Sequence, residues 1–262
     1  MEALSRLAAG GLDYALLLFI RVAGMTLSSP IFGRSNIPAT VKISYSLALA
    51  YFFFTVLPTP APLTYGSVPI FALLCAKETL VGLIMGYLLT LFFSVSFSAG
   101  QLIDMQMGFG MANVFDQQSN ASIPMLGNLI NTMMMLVFIS VGGFERLIGL
   151  LRLTFLHIPV GTVTVSSGIA WVIAQLFCEA FVLGLRMALP VVISGLLGEA
   201  AMGMLVRTVP QMNVFVIGMP LKIILGLVVL SMVLPIYSSL AGSVFESMFA
   251  GMERAFSALI GA

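Results

Sequence analysis

From residue 68 to residue 99 the chain carries one adjacent pair of charged side chains, Lys77 and Glu78, in a run that is otherwise apolar or small. Few folds are open to such a stretch. At about 1.5 Å per residue, some 30 helical residues reach roughly 45 Å, whereas a bilayer's hydrocarbon core is about 30 Å thick. Comparable apolar runs occupy residues 12–32, 41–57, 125–141, 169–200 and 221–249. The 262 residues are 60% hydrophobic and 8% charged, with a mean hydropathy of +1.13. A soluble domain holds about 25% charged residues, so this composition cannot wet an ordinary surface. The expected fold is all-α and membrane-associated.

Composition also excludes partners. A formal net charge of +1 leaves no basic patch to neutralise phosphates, so nucleic acid is not expected as a ligand. Cys75 and Cys178 stand alone in separate apolar runs, without metal-ligand spacing, and read as packing residues. The opening M-E-A-L-S-R runs into apolar sequence interrupted by Arg21, with no small-residue cleavage site. No removable signal peptide is expected.

Between the runs lie distinct connectors. Residues 33–38 (G-R-S-N-I-P) form a polar turn, and residues 58–69 are proline-rich and uncharged, the composition of an extended link. Residues 101–124 are polar, Gly- and Met-rich, and read as a non-spanning segment. After Gly142 and Gly143, residues 147–157 pattern as a short amphipathic helix ending before Pro159. Residues 207–222 read R-T-V-P-Q-M-N-V-F-V-I-G-M-P-L-K. There Pro210 and Pro220 bracket a piece too short to span anything. Each proline removes a backbone donor and fixes φ, so a helical break is predicted there and a further kink at Pro190. Arg207, Gln211, Asn213 and Lys222 supply polar groups around that break.

Charges inside the apolar runs are costly. Arg21, Lys77, Glu78, Glu179 and Arg186 would each cost on the order of 3 kcal/mol or more facing lipid. Two readings stand: polar glue between helices, or the lining of a polar conduit. The small faces Gly82-x-x-x-Gly86 and Ser194-x-x-x-Gly198 permit close helix approach. Counted as about six crossings, the chain divides its basic residues evenly between the two sides, so the positive-inside rule gives no orientation.

Catalytic chemistry finds no support. The lone His157 lies at a helix end without a cysteine or carboxylate at ligand spacing, and there is no G-x-S-x-G, H-E-x-x-H or P-loop pattern. Asp104 and Asp116 could form a carboxylate pair, but sequence alone shows nothing to position them. The chain is read as no enzyme, with no cofactor or metal. Residues 101–124 are more suggestive, because Met105, Met107, Phe109, Met111 and Phe115 alternate with Gly108, Gly110 and amides. Irregular backbone at membrane depth survives only inside protein or along a cavity, and methionines make a deformable apolar seal. A plain surface loop is the alternative.

The pieces R-T-V-P-Q-M-N-V-F-V-I-G-M-P-L-K-I, I-R-V-A-G-M-T-L-S-S-P-I-F-G-R-S-N-I-P and A-G-Q-L-I-D-M-Q-M-G-F resemble the FliR/SctT family of type III secretion export-gate subunits. The resemblance covers essentially the whole chain. It implies long, kinked helical hairpins, with residues 1–165 packed like a FliP subunit and residues 166–262 like the helical pair of FliQ. It further implies assembly with FliP and FliQ into a closed channel for unfolded flagellar proteins, with FlhB and FlhA as further partners. The expected location is the bacterial inner membrane, at the flagellar basal body. Within this picture, residues 101–124 match the pore plug, carried here by Met105, Met107, Gly108, Phe109, Gly110, Met111 and Phe115. Arg207, Pro210, Gln211, Asn213, Gly218, Pro220 and Lys222 become a hairpin tip at subunit interfaces, with Pro220 and Lys222 opening the second helix. Where many relatives place Asp-Pro after the plug, Asp116 is followed by Gln117, and the proline comes at Pro124. The competing classes are a small-molecule or ion transporter of the inner membrane and an assembly scaffold that does not line the path.

Overall fold

A computed structural model describes residues 11–34, 36–58, 67–109, 124–163, 168–209 and 214–260. Among these residues the chain is helical, without strands. Its helices are α1 (Leu12–Ser28), α2 (Ala39–Val56), α3 (Val68–Met107), α4 (Met125–Ser140), α5 (Gly143–His157), α6 (Gly168–Thr208) and α7 (Val214–Ile260). The expected all-α fold is what the structure shows.

Three boundaries differ from the sequence reading in an instructive way. Helix α3 continues through residues 101–107, which their polarity alone assigns to a loop, and ends where Gly108 adopts φ +84°. Gln101, Asp104 and Gln106 are polar, but none of them stops a helix; the positive-φ glycine does. Pro190 lies within continuous α6, and Pro220 and Pro235 lie within α7. The second helix of the hairpin therefore opens at Val214, and Pro220 does not restart it. A proline removes one backbone donor, and a helix this apolar keeps its remaining ladder because nothing else in the membrane can satisfy those groups.

Among the described residues four helices are long and apolar enough to cross a membrane: Ala39–Val56, Val68–Met107, Gly168–Thr208 and Val216–Leu259. A fifth span results if Met125–Ser140 and Gly143–His157 together make one broken crossing. Among the described residues this is fewer than the six crossings counted from sequence, because α1 at 17 residues and α4 at 16 are described over less than the roughly 20 residues of an ordinary crossing. The chain is a multi-pass membrane protein.

The helices sort into two compact units, each drawn from separated parts of the sequence. Unit 1 comprises Met1–Leu91, Phe144–Leu176 and Met248–Ala262; unit 2 comprises Phe92–Gly143 and Phe177–Ser247. In unit 1, α1 lies against α3 so closely that a Cβ on Gly82 would come within 2.2 Å of the Arg21 carbonyl oxygen. One on Gly86 would meet the Met25 carbonyl oxygen at 2.8 Å, and one on Gly24 the Thr79 carbonyl oxygen at 3.0 Å. The predicted small face at Gly82 and Gly86 is a real backbone-to-backbone contact. Phe53 and Phe155 close the same core, with ring centroids 5.1 Å apart. In unit 2 the buried rings of Phe93, Phe138 and Phe245 meet one another at centroid distances of 5.2–5.6 Å. Nearby, the Tyr237 hydroxyl donates to the Met187 carbonyl at 2.9 Å, so its buried polar tip has a partner.

Candidate functional site

Two polar constructions stand out, one in each unit. In unit 1, Arg21 and Glu78 are fully buried and joined by Arg21 Nε to Glu78 Oε2 at 2.6 Å. Both terminal guanidinium nitrogens are also engaged. Nη1 donates to the carbonyls of Thr154 (3.2 Å) and Ile158 (3.1 Å), and Nη2 to Ile158 (3.1 Å). The guanidinium carbon sits 4.7 Å from the Phe155 ring centroid, over its face. Glu78 Oε1 in turn accepts from the Gly161 amide at 2.8 Å, where φ is +86°. The cation thus caps the C-terminal carbonyls of α5, where the helix dipole favours positive charge. The carboxylate anchors the turn that follows. Four pieces of chain meet at one ion pair.

The other three charges placed in apolar runs behave differently. Lys77 is half-buried, and Glu179 and Arg186 are exposed on this chain. A helix is buried on one stripe only, and sequence does not tell which of the long helices' faces is covered within the chain.

In unit 2 the end of α3 is tied to the start of α4. Both Asp104 carboxylate oxygens accept from the Leu126 amide at 3.1 Å, and Oδ2 also accepts from Gly127 at 3.2 Å. Helix α4 begins behind Pro124, which offers no side-chain cap. Asp104 supplies that cap from another helix, with its negative charge at the positive end of the dipole. The two helices close to contact because both positions facing each other are glycine: a Cβ on Gly100 would lie 2.3 Å from the Gly127 Cα. Sequence alone does not position Asp104; the signal available is an aspartate about 20 residues ahead of an uncapped, proline-led helix. Its imagined partner Asp116 lies outside the described residues.

Beyond Asp104 the helix ends in a two-bond Schellman arrangement. The Gly108 amide donates to the Met105 carbonyl at 3.2 Å and the Phe109 amide to the Asp104 carbonyl at 3.1 Å. Met107 is 2% exposed and fills the space over Gly226, where a Cβ would meet its side chain at 2.6 Å. Gln106 packs likewise over Gly195, and its buried Nε2 has no partner among the described residues. Met105, by contrast, is 73% exposed. Of the expected plug residues, then, Met107 is a seated anchor, Met105 faces outward, and Phe109 is half-buried. Gly110, Met111 and Phe115 lie outside the described residues.

At the α6–α7 hairpin, Lys222 pairs with Glu199 across the two helices. Arg207 and Pro220 are exposed and Gly218 is half-buried, while Pro210, Gln211 and Asn213 lie outside the described residues. Sequence reasoning missed Glu199, which lies on the opposing helix.

Residues 12–248 match the family model for bacterial export proteins, family 1. The chain is 35% identical over 249 residues to the flagellar biosynthetic protein FliR of Bacillus subtilis (strain 168), covering 94% of this chain and 95% of that one. It is 27% identical to the protein of the same name from Escherichia coli (strain K12), covering 88% and 87% of the two chains. The Aquifex aeolicus (strain VF5) protein of that name is also 27% identical, with coverage of 91% and 92%. With a family match running through every helix described above, this chain is a member of the bacterial export proteins, family 1.

Proposed function

We propose that the chain is a non-enzymatic core subunit of the flagellar type III protein export gate in the bacterial inner membrane. It acts with FliP and FliQ, and with FlhB and FlhA as further partners, to form the closed channel for unfolded flagellar proteins. The observation that carries this reading is the near full-length similarity to proteins named flagellar biosynthetic protein FliR, together with the family's assignment to export. Within that gate, residues 101–124 act as the plug. Physical support comes from the Asp104 tie, which fixes the base of the segment at both ends, and from Met107, which seats its first turn over Gly226. A segment held at its base and rich in Met, Phe and Gly beyond it can obstruct a path and still yield. In the same reading residues 1–165 take the FliP-like role and residues 166–262 the FliQ-like one. The tip around Pro210, Gln211 and Asn213 then meets neighbouring subunits.

Complementation tests the assignment. Expressed in a strain lacking its own FliR, the chain restores secretion of flagellar subunits and co-purifies with FliP and FliQ. Replacing Gly110 with Trp and Met111 with Asp in that background alters ion leakage, secretion or both. Unchanged leakage with unchanged secretion would remove the plug role and leave the export assignment standing.

A further inference from the structure

Within unit 2, helix α6 is covered along one side only. A Cβ added at Gly184 would lie 3.5 Å from the Val95 carbonyl oxygen of α3, and Ala180, Met187, Ala188 and Val191 are each 1% exposed. Arg186 comes two residues after Gly184, which is about 200° around the helix. It is exposed, and among the described residues it makes no hydrogen bond or ion pair. Glu179, Val182, Leu189 and Ile193 share that outer face at spacings of three or four residues, and all are exposed. Glu179 is engaged elsewhere and stands roughly 10 Å along the axis from Arg186, too far to answer its charge.

This helix is one of those able to cross a membrane, so the surroundings that suit Arg186 are few. Lipid tails would cover the apolar face and leave the cation unpaired, at a heavy cost. Placing Arg186 at headgroup depth would satisfy the charge. It would also set exposed apolar side chains in water, either Phe181 and Val182 before it or Leu189 and Ile193 after it. A protein helix that carries one carboxylate among apolar residues answers both needs.

We propose that the outer face of α6 around Arg186 docks a membrane helix of a different chain, which presents one aspartate or glutamate to the guanidinium and packs apolar residues on either side of it. The spacing of the exposed residues is that of a helix-packing seam. A second copy of this chain does not fit. Two copies inserted the same way run their α6 helices parallel, and a symmetric pairing of this face sets one Arg186 beside the other. The inference rests on the membrane location of α6 and the unpaired Arg186, not on the export role.

The photo-cross-linker benzoylphenylalanine replaces Val182 in one full-length protein and Ile193 in another, each expressed in its own host. Cells are irradiated before the membranes are dissolved, and the cross-linked peptides are sequenced by mass spectrometry. Both positions join the same helix of one different chain, and an aspartate or glutamate lies between the two points of attachment. Arg186→Glu then lowers recovery of that chain with the protein by at least about tenfold, because two like charges oppose each other in the interface. Arg186→Lys keeps most of it. Changing the identified acid to arginine in the Arg186→Glu background restores recovery, which damage to the fold of α6 would not allow. If Arg186→Glu does not accumulate, return of its membrane level with the reversed acid is read in the same way. Cross-links to lipid alone, to a second copy, or to a helix with no acid between the two points overturn the proposal. So does a reversed acid that restores neither recovery nor level.

Discussion

Arg21 Nε donates to Glu78 Oε2 at 2.6 Å, and neither side chain is accessible to solvent. Because the same two groups also hold the Thr154 and Ile158 carbonyls and the Gly161 amide, the pair joins α1, α3, the end of α5 and the following turn. Two charges that would be intolerable against lipid are thereby enclosed by protein.

Removing one partner leaves the other charge buried and unanswered, which costs about 3–5 kcal/mol. Glu78→Leu and Arg21→Met are each expected to reduce the amount of folded protein recovered from membranes and to lower its thermal transition in detergent. The double variant recovers part of that loss. It does not recover all, since the carbonyls of Thr154 and Ile158 and the Gly161 amide lose their partners too. A Glu78→Leu protein as stable as the wild type would contradict this account.

The α1–α3 contact makes a second prediction, built on contrast between glycines. Gly82→Ala forces a Cβ to 2.2 Å from a backbone oxygen, so the helices must separate. A loss of about 1–3 kcal/mol is expected, as for other overpacked sites. Gly149 lies in helix α5, where an added Cβ would find nothing within 4 Å, so Gly149→Ala gains roughly 0.5–1 kcal/mol from helix propensity. Thermal denaturation of the two variants in the same detergent should move in opposite directions. Equal shifts would mean that the close approach at Gly82 does not hold the helices in register.

Much of the fold was legible because hydropathy alone marks long helices in so apolar a chain. Arg21 and Glu78 were legible as charges needing partners, yet their pairing depends on which faces of α1 and α3 meet, 57 residues apart in sequence. Local rules also misled at specific residues. Pro220 suggests the start of a new helix, but α7 runs through it from Val214, and α6 continues past Pro190. Gln101, Asp104 and Gln106 suggested a loop because they are polar, although they extend α3 to Met107. Glu179 and Arg186 look buried on hydropathy and are exposed on the chain, since a helix can be apolar throughout without being covered by its own chain.

The base of the 101–124 segment gives the last prediction. Asp104 is 6% exposed and caps α4 through Leu126 and Gly127, and Gly108 terminates α3 at φ +84°. Asp104→Ala removes the cap from a helix whose own N-cap position is Pro124, at a cost of about 1–2 kcal/mol. Asp104→Asn keeps an acceptor and loses the charge, so its effect is smaller. Gly108→Ala places a side chain in the left-handed region, at a cost of about 1 kcal/mol, and leaves the cap in place. Hydrogen exchange separates the two kinds of damage. With Asp104→Ala, exchange quickens at Leu126 and Gly127. With Gly108→Ala it quickens at Gly108 and Phe109, whose amides close the end of α3, and stays slow at Leu126. If Asp104→Ala leaves exchange at Leu126 and Gly127 unchanged, the two helices are held together by the Gly100–Gly127 contact alone, and the carboxylate is not the tie.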